Sequence, residues 1–418
     1  MQTSTLEAEH DIVIIGGGFI GMASAMWLQM SGRNVTILDN MHLSKGAYFG
    51  NAATIATYAN IPVGTPDIFR QIPKLLLDKR SPLSIKWSYL PQLTPWLIAF
   101  LRSSTPSKVE YISDQLGKLL NQANDSLEPL ISRSNSQNLL AMNGTLYLYG
   151  NERGFQQAGP NIQLRRKSGI DVQELAHDEI AELEPALNPI YHKGLLFNDG
   201  RHVRNPLKLL ANMTDSFLRS GGRLLNYKAL GFKRANATFL TINTDHEQIR
   251  CNKIVLSAGA WSRSLAAGFG DKVPLDTEQG YHVSFKGAQG LIQRPVGWAD
   301  VGLYLTPLDT TLRAAGTVEL GGLQNPINRK RIQLISRTAK KLLPTLVDHD
   351  SEWTGFRPSF PDSMPIIGPS PSDDHVFYAF GHGHIGLTLS GITGKLMSEM
   401  VNNQEPSIDI TAFRADRF

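Results

Sequence analysis

The chain has 418 residues, 41% of them hydrophobic and 19% charged, with a formal net charge of +4 at pH 7. That supply of apolar side chains builds a core for two domains or one large composite domain and excludes a disordered chain. The mild positive balance, with no Lys/Arg cluster interleaved with aromatics, excludes a nucleic-acid partner, and the single cysteine, Cys251, excludes an intramolecular disulfide and an all-cysteine metal site.

A lone cysteine fits a reducing, cytoplasmic compartment. The first ten residues carry neither a basic stretch nor an apolar run, so no secretory signal is expected. No apolar run reaches the ~18–20 residues that span a bilayer.

The first interpretable element is Ile12–Ile15, a short apolar run that reads as a buried parallel strand. Gly16, Gly18 and Gly21 follow as G-x-G-x-x-G, and Ile20, Ala23, Trp27 and Leu28 then recur at helical spacing. Gly32 stands where a helix ends in the left-handed region, Val35–Leu38 is the next strand, and Asp39 falls at its end. The first glycine allows a tight turn, the second lets the backbone approach a pyrophosphate, and the third lets helix and strand pack closely. The helix N-terminus offers free N–H groups to the phosphates, and Asp39 suits a ribose hydroxyl pair. Strand, glycines, helix and acid together predict dinucleotide binding.

Further along, Lys74–Leu101 mixes Leu, Trp and Tyr with Lys and Arg, as an entrance lid or an interfacial anchor would. Tyr111–Ser132 reads as a polar helical stretch. Asn205 is a candidate N-cap with Pro206 at the first helical position, and Leu207, Leu210, Met213, Phe217 and Leu218 form an apolar stripe up to Gly221-Gly222. "RLLNYKAL" then reads as a strand, and Asn252–Ser262 ("NKIVLSAGAWS") as a buried strand running into small residues. Val301–Leu308 and Thr311–Leu320 flank Asp309-Thr310. A tight turn there sets Tyr304 opposite Ala315 and Thr306 opposite Arg313 on one face, with Leu303, Leu305, Leu312, Ala314 and Val318 on the other. Trp353–Pro369 ("WTGFRPSFPDSMPIIGP") and Tyr378–Val401, a strand, a glycine turn and a helix, complete the chain.

These motifs and their order resemble the D-amino-acid oxidase superfamily of FAD-dependent amine oxidoreductases. The nearest likeness is to bacterial D-amino-acid dehydrogenases, through "GNAATI" (Gly50–Ile55) and "SPLSIKW" (Ser81–Trp87), and there is similarity to glycine oxidase. The resemblance implies a fold of class α/β plus α+β. A discontinuous Rossmann-like, glutathione-reductase-type FAD-binding domain is assembled from 1–60, 196–272 and 350–418, with an antiparallel-sheet substrate domain from 61–195, including Tyr111–Ser132, and 273–349. The implied FAD contacts are Gly16, Gly18, Phe19, Ile20, Gly21, Asp39 and Asn40 at the cradle; Asn51 and Ala52; Ala229; Ala258, Gly259 and Trp261; and Gly383, Ile385, Gly386, Leu387 and Thr388. The loop departs from the family in carrying Tyr48-Phe49 where Thr-Ser is usual, and at Gly50 and Ala53.

For the substrate, the resemblance implies that Arg357 of G-x-R-P pairs with a carboxylate and that Tyr304 of "YLTP" assists. A planar guanidinium suits a carboxylate bidentately. His384 takes a place near the substrate, Tyr58 follows the loop passing the flavin, and His202 lies toward the pocket floor; His382 is expected to satisfy backbone groups of its turn. The flavin is expected to be non-covalent, because the cysteine that holds it in sarcosine oxidases aligns near Gly355, away from Cys251. The implied reaction is oxidative deamination of a small amino acid, a D-amino acid or a cyclic imino acid such as D-proline or hydroxyproline. A hydride passes from Cα to flavin N5 and the electrons go on to a quinone or other carrier, with peripheral contact at the inner membrane as one setting. Two alternatives stand beside it: an oxygen-using amino-acid oxidase, and a non-catalytic FAD-binding subunit of a heteromeric amine dehydrogenase.

Overall fold

In the computed structural model, which describes residues 9–40, 46–67, 83–234 and 239–418, the opening apolar run forms the strand His10–Ile15 at the centre of a parallel sheet. Val35–Leu38 lies on one side of it, followed by Arg223–Leu225, and Gln248–Leu256 lies on the other. Four consecutive fully enclosed side chains, Ile12 to Ile15, explain the placement: only a strand covered on both faces buries such a run. The far edge of Gln248–Leu256 is shared. Its second half pairs in parallel with Val376–Phe380, and its first half pairs antiparallel with Leu240–Thr244.

Helix Phe19–Met30 packs against helix Gly386–Val401 on one face of this sheet. A Cβ on Gly394 would stand 2.7 Å from the Ala23 carbonyl, so the missing side chain lets the two backbones touch. Asn205 caps helix Pro206–Arg219 through the Lys208 N–H at 3.0 Å, with Pro206 at its start as the sequence predicts.

"RLLNYKAL" is two strands, not one. Arg223–Leu225 extends the parallel sheet, whereas Ala229–Arg234 pairs antiparallel with Leu240–Thr244. One straight strand cannot serve both partners, and the chain turns at residues 226–228, where the Lys228 N–H is held by Asp245. The Tyr111–Ser132 stretch also differs from expectation. It is covered by two helices, Pro106–Leu120 and Ala123–Arg133, that bury Ile112, Leu116, Leu127, Leu130 and Ile131 in the core shared with Gly386–Val401. Apolar positions at helical spacing, hidden in a polar composition, draw them to the parallel-sheet side.

The second sheet runs Ser351–Ser359, Asp276–Lys286, Thr311–Leu320, Leu303–Pro307, Val296–Trp298, Thr145–Tyr149, Lys193–Phe197 and Gln173–Leu175. The hairpin has the register read from the sequence: Tyr304 opposes Ala315, Thr306 opposes Arg313, and the Leu308 N–H meets Thr311 O at 2.8 Å. Leu303, Leu305, Leu312 and Ala314 face a core closed by helix Arg329–Leu342. Val318 does not join them. A bulge at Thr317, whose φ is +58°, shifts the alternation, and Val318 packs instead beside Leu93, Trp96 and Leu320.

Of the stretch Lys74–Leu101, residues 74–82 lie outside the described residues, as do Ser81 and Pro82 of the "SPLSIKW" likeness. The remainder forms Leu83–Ile85, parallel to Val318–Leu320, a 3-10 turn Trp87–Tyr89 with Trp87 exposed, and helix Leu90–Ser103, which buries Leu93 and Trp96 and leaves Ile98 exposed. Among the described residues no helix is long and apolar enough to cross a membrane.

Candidate active site

The strand His10–Ile15 ends in Gly16 at φ +105°, where a Cβ would lie 2.4 Å from Ser257 O. A Cβ on Gly21 would fall 1.8 Å from Gly16 O, so the first turn of helix Phe19–Met30 can close against the loop only with glycine at that position. No side chain caps this helix at Gly18, and among the described residues its leading N–H groups meet no acceptor. At the end of the adjoining strand the Asp39 carboxylate accepts the Gly17 N–H at 2.5 Å.

From this cradle a cavity of about 890 Å³ runs between the two sheets. Its near end is walled by Tyr227–Ala229 and Ala258–Trp261, its middle by residues 46–56, and its far end by Tyr304, Arg357 and His384. The middle wall is tied down from several directions. Arg313 Nη1 donates to Phe49 O at 3.0 Å and Asn51 O at 2.7 Å, and Thr306 Oγ1 donates to Ala52 O at 2.8 Å. The Ala56 N–H reaches Thr388 Oγ1 at 2.9 Å. Gly50 admits Trp353, whose ring would meet a Cβ there at 2.1 Å; Trp353 stacks on His282 with centroids 5.2 Å apart.

At the far end, Arg357 sits on strand Ser351–Ser359 directly opposite Glu278. Its guanidinium lies over Gly280, where a Cβ would be 2.5 Å from Cζ. Arg357 forms no ion pair or hydrogen bond with any described residue. Burial lowers its pKa, with Glu278 opposing the shift. Tyr304 meets Tyr147 edge-to-face at 5.3 Å, and Tyr58 stacks on Phe197 at 4.2 Å. The Tyr58 hydroxyl approaches those of Tyr304 and Thr145 without forming a well-aligned hydrogen bond. Burial pushes Tyr147 up to about 12 and raises Tyr304 well above the usual phenol value, so these hydroxyls stay protonated as donors. His384 presents its ring to the cavity and is open to it; the surrounding protein and the nearby Arg357 lower its pKa against the pull of Glu278. Helix Gly386–Val401 begins beside it with no side-chain cap, its positive end toward the cavity.

The profile of the family described as FAD dependent oxidoreductase matches residues 11–400. The chain belongs to the FAD-dependent oxidoreductase family. The D-amino-acid oxidase of Bradyrhizobium diazoefficiens is 33% identical over 99% of both chains. A D-amino acid dehydrogenase of Vibrio vulnificus is 28% identical over 94% of this chain and 96% of its own. In fold, the chain resembles glycine oxidase from Geobacillus kaustophilus, with a TM-score of 0.77 at 21% identity and coverage of 98% and 99%. It also resembles L-proline dehydrogenase from P. horikoshii, with a TM-score of 0.75 at 17% identity and coverage of 99% and 98%.

FAD is the cofactor of this oxidoreductase family, and the residues present fit it. Two glycines whose Cβ atoms would fill the cradle and an acid at the strand end border one cavity of about 890 Å³. Most of the residues singled out in the sequence line this one cavity: Gly16, Gly18, Phe19, Ile20, Asp39 and Asn40; Asn51, Ala52 and Tyr58; Ala229, Ala258, Gly259 and Trp261; Tyr304 and Arg357; and Gly383, His384, Ile385, Gly386 and Leu387. Gly21 and Thr388 do not line it. Gly21 acts by letting the helix close on Gly16, and Thr388 is buried with its hydroxyl accepting the Ala56 N–H.

His202 is also off the cavity. It is buried, held near pKa 4 by desolvation, with Nδ1 unpartnered. His382 bonds Thr393 Oγ1 at 3.0 Å instead of the backbone of its turn. Arg313 holds the loop carbonyls. Glu278, Gly280, Tyr147, Arg165 and Trp353 enter the site without having been singled out in the sequence. Nothing in the sequence marked them: Glu278 stands in a strand of mixed polar and aromatic residues with a second acid, Asp276, two positions before it.

Proposed function

We propose that this oxidoreductase oxidises a small α-amino acid, a D-amino acid or a cyclic imino acid such as D-proline or hydroxyproline, held by its carboxylate on Arg357. The observation that carries this reading is the free guanidinium of Arg357, walled in by protein and seated over Gly280 in the same cavity as the dinucleotide cradle. The names of the Bradyrhizobium and Vibrio relatives support it.

Arg357 offers a planar pair of N–H donors, which fixes a carboxylate in orientation as well as in charge. The Tyr304 hydroxyl, kept protonated by burial, is a further donor to the same group. His384, whose ring is open to the cavity, is placed to take the proton that leaves the substrate nitrogen. FAD, when bound, supplies the two-electron chemistry by accepting the hydride from Cα. The uncapped N–H groups at the start of Gly386–Val401 favour negative charge at that end of the cavity. The protein's part is positioning and electrostatics.

The flavin is held without a covalent bond to cysteine, since Cys251 is fully buried in its strand and lines no part of the cavity; acid precipitation is expected to leave the pellet colourless. A non-catalytic subunit is disfavoured by the free Arg357. The electrons go to a quinone or other carrier. The exposed Trp87 and Ile98 beside the packed helix Leu90–Ser103 support contact with the surface of the inner membrane, where such a carrier resides. Comparing reoxidation by air and by a soluble quinone separates dehydrogenase from oxidase. The test of the reading is an anaerobic flavin-reduction screen over D- and L-amino acids, cyclic imino acids and N-methyl amino acids. Bleaching by at least one class is expected; a flavin left oxidised by all of them would remove the proposal.

A further inference from the structure

Strand Asp276–Lys286 carries several buried polar side chains, and most of them have partners. Asp276 accepts the Tyr89 hydroxyl at 3.1 Å, Gln279 bonds Asn325 and Thr354, Tyr281 donates to Glu319 at 3.0 Å, and His282 meets Gly50 O at 3.2 Å. The neutral Thr277 hydroxyl has none, and Glu278 is the one charged side chain among them without a partner. It is 8% exposed, its open surface faces the cavity, and it has no hydrogen-bond or ion-pair partner among the described residues.

Directly across the ladder from it stands Arg357, and opposed Cβ atoms on neighbouring strands stand about 4.5–5.5 Å apart. The two do not pair. Gly280, two residues along the same face, has no Cβ, and the guanidinium lies over that gap, drawn along the strand and away from the carboxylate. One cavity wall thus presents a cation and an anion side by side, each with its bonding capacity unspent. A buried carboxylate without donors is costly and favours any ligand that brings a cation to it.

We infer that Glu278 is the anchor for the substrate's amino nitrogen, so that the Arg357–Glu278 pair recognises the two charges of an α-amino acid together and selects it over a nitrogen-free acid of the same shape. This rests on the carboxylate role of Arg357 proposed above. A zwitterion laid on this wall sets its carboxylate against the guanidinium and its ammonium against Glu278. A 2-hydroxy acid satisfies the first and offers the second only a neutral hydroxyl. His384 borders the same charges and is placed to receive the ammonium proton.

The probes are 2-aminoisobutyrate and 2-hydroxyisobutyrate, which differ only at the nitrogen and lack the Cα hydrogen, so neither is oxidised. Binding of each to FAD-loaded wild type, Glu278→Gln and Glu278→Asp is measured by calorimetry. Wild type is expected to prefer the amino acid by about tenfold to a hundredfold, the range for a hydrogen bond between charged groups. Glu278→Gln should bring the ratio near one while leaving hydroxy-acid binding within about threefold, and Glu278→Asp should keep part of the preference. An unchanged ratio in a folded, flavin-loaded Glu278→Gln would overturn the assignment. So would equal loss of both ligands, which would mark Glu278 as a support for Arg357. If wild type binds the hydroxy acid well but shows no preference, this inference fails while the Arg357 reading stands; if it binds neither acid, both fall.

Discussion

Gly280 governs the far end of the cavity without contributing a side chain. Glycine is required there by a neighbour's guanidinium, not by backbone conformation, and that makes a sharp test. Gly280→Ala puts a methyl 2.5 Å from Cζ of Arg357, so the guanidinium must move. The substrate concentration needed to half-saturate flavin reduction should rise about tenfold or more, while FAD content stays at one per chain, because the cradle is built elsewhere. An unchanged saturation curve would show that the arginine has another seat. Tyr58 gives the opposite expectation. Its hydroxyl is buried without a well-formed hydrogen bond while its ring stacks on Phe197. Tyr58→Phe should therefore leave thermal stability equal or slightly higher; a fall of several degrees in Tm would mean the hydroxyl is satisfied after all. At this scale the sequence disclosed the residues with motif neighbours, such as Arg357 in G-x-R-P and Tyr304 in the hairpin. Glu278 stayed hidden, because one acid in a strand carries no periodic signal and its importance comes from what lies across the ladder.

Among elements, the loop spanning residues 46–56 shows how the two sheets cooperate. The sequence sets Tyr304, Thr306, Arg313 and Ala315 on one face of the hairpin, and the register is as read. Yet Thr306 and Arg313 spend their hydrogen bonds on the carbonyls of this loop, and of the four residues on that face Tyr304 and Ala315 are the ones that line the cavity. Sequence pattern reports which side chains share a face, not what arrives to cover it. Arg313→Met removes two carbonyl contacts and leaves their acceptors buried. We expect a loss of about 2–4 kcal/mol in stability and a lower ratio of flavin to protein after gel filtration; retention of both would show that the other ties suffice. The same limit explains helices Pro106–Leu120 and Ala123–Arg133. Their apolar stripes are legible, but the partner, Gly386–Val401, is more than two hundred residues away in sequence. That partner accepts Ala123–Arg133 through Gly391, where a Cβ would stand 2.5 Å from Leu127 N.

For the whole molecule, the parallel sheet, the glycine cradle and the capped helix at Asn205 were legible because each rests on local pattern, whereas the Thr317 bulge and the break in "RLLNYKAL" are set by distant strands. Three buried histidines give the assembled protein a pH response. Desolvation lowers His202 to about 4 and His282 and His382 to about 3, from an ordinary 6.5. Between those values the unfolded chain binds protons that the folded one refuses. The stability conferred by the neutral imidazoles is therefore complete above pH 6.5 and is lost as pH falls toward 4, by roughly 2 kcal/mol apiece at pH 5. Scanning calorimetry should show Tm falling from pH 7.5 to pH 5; a flat profile would contradict the burial of these rings. The central claim, that Arg357 brings a carboxylate-bearing amine to the flavin, is tested most directly by rapid-mixing anaerobic reduction. An amino acid that bleaches the flavin is compared with the amine made by removing its carboxylate, on wild type and on Arg357→Met. Wild type should favour the amino acid by about a hundredfold or more in the second-order rate of flavin reduction, and Arg357→Met should lose that preference while keeping its FAD. Equal preference in both proteins would contradict it.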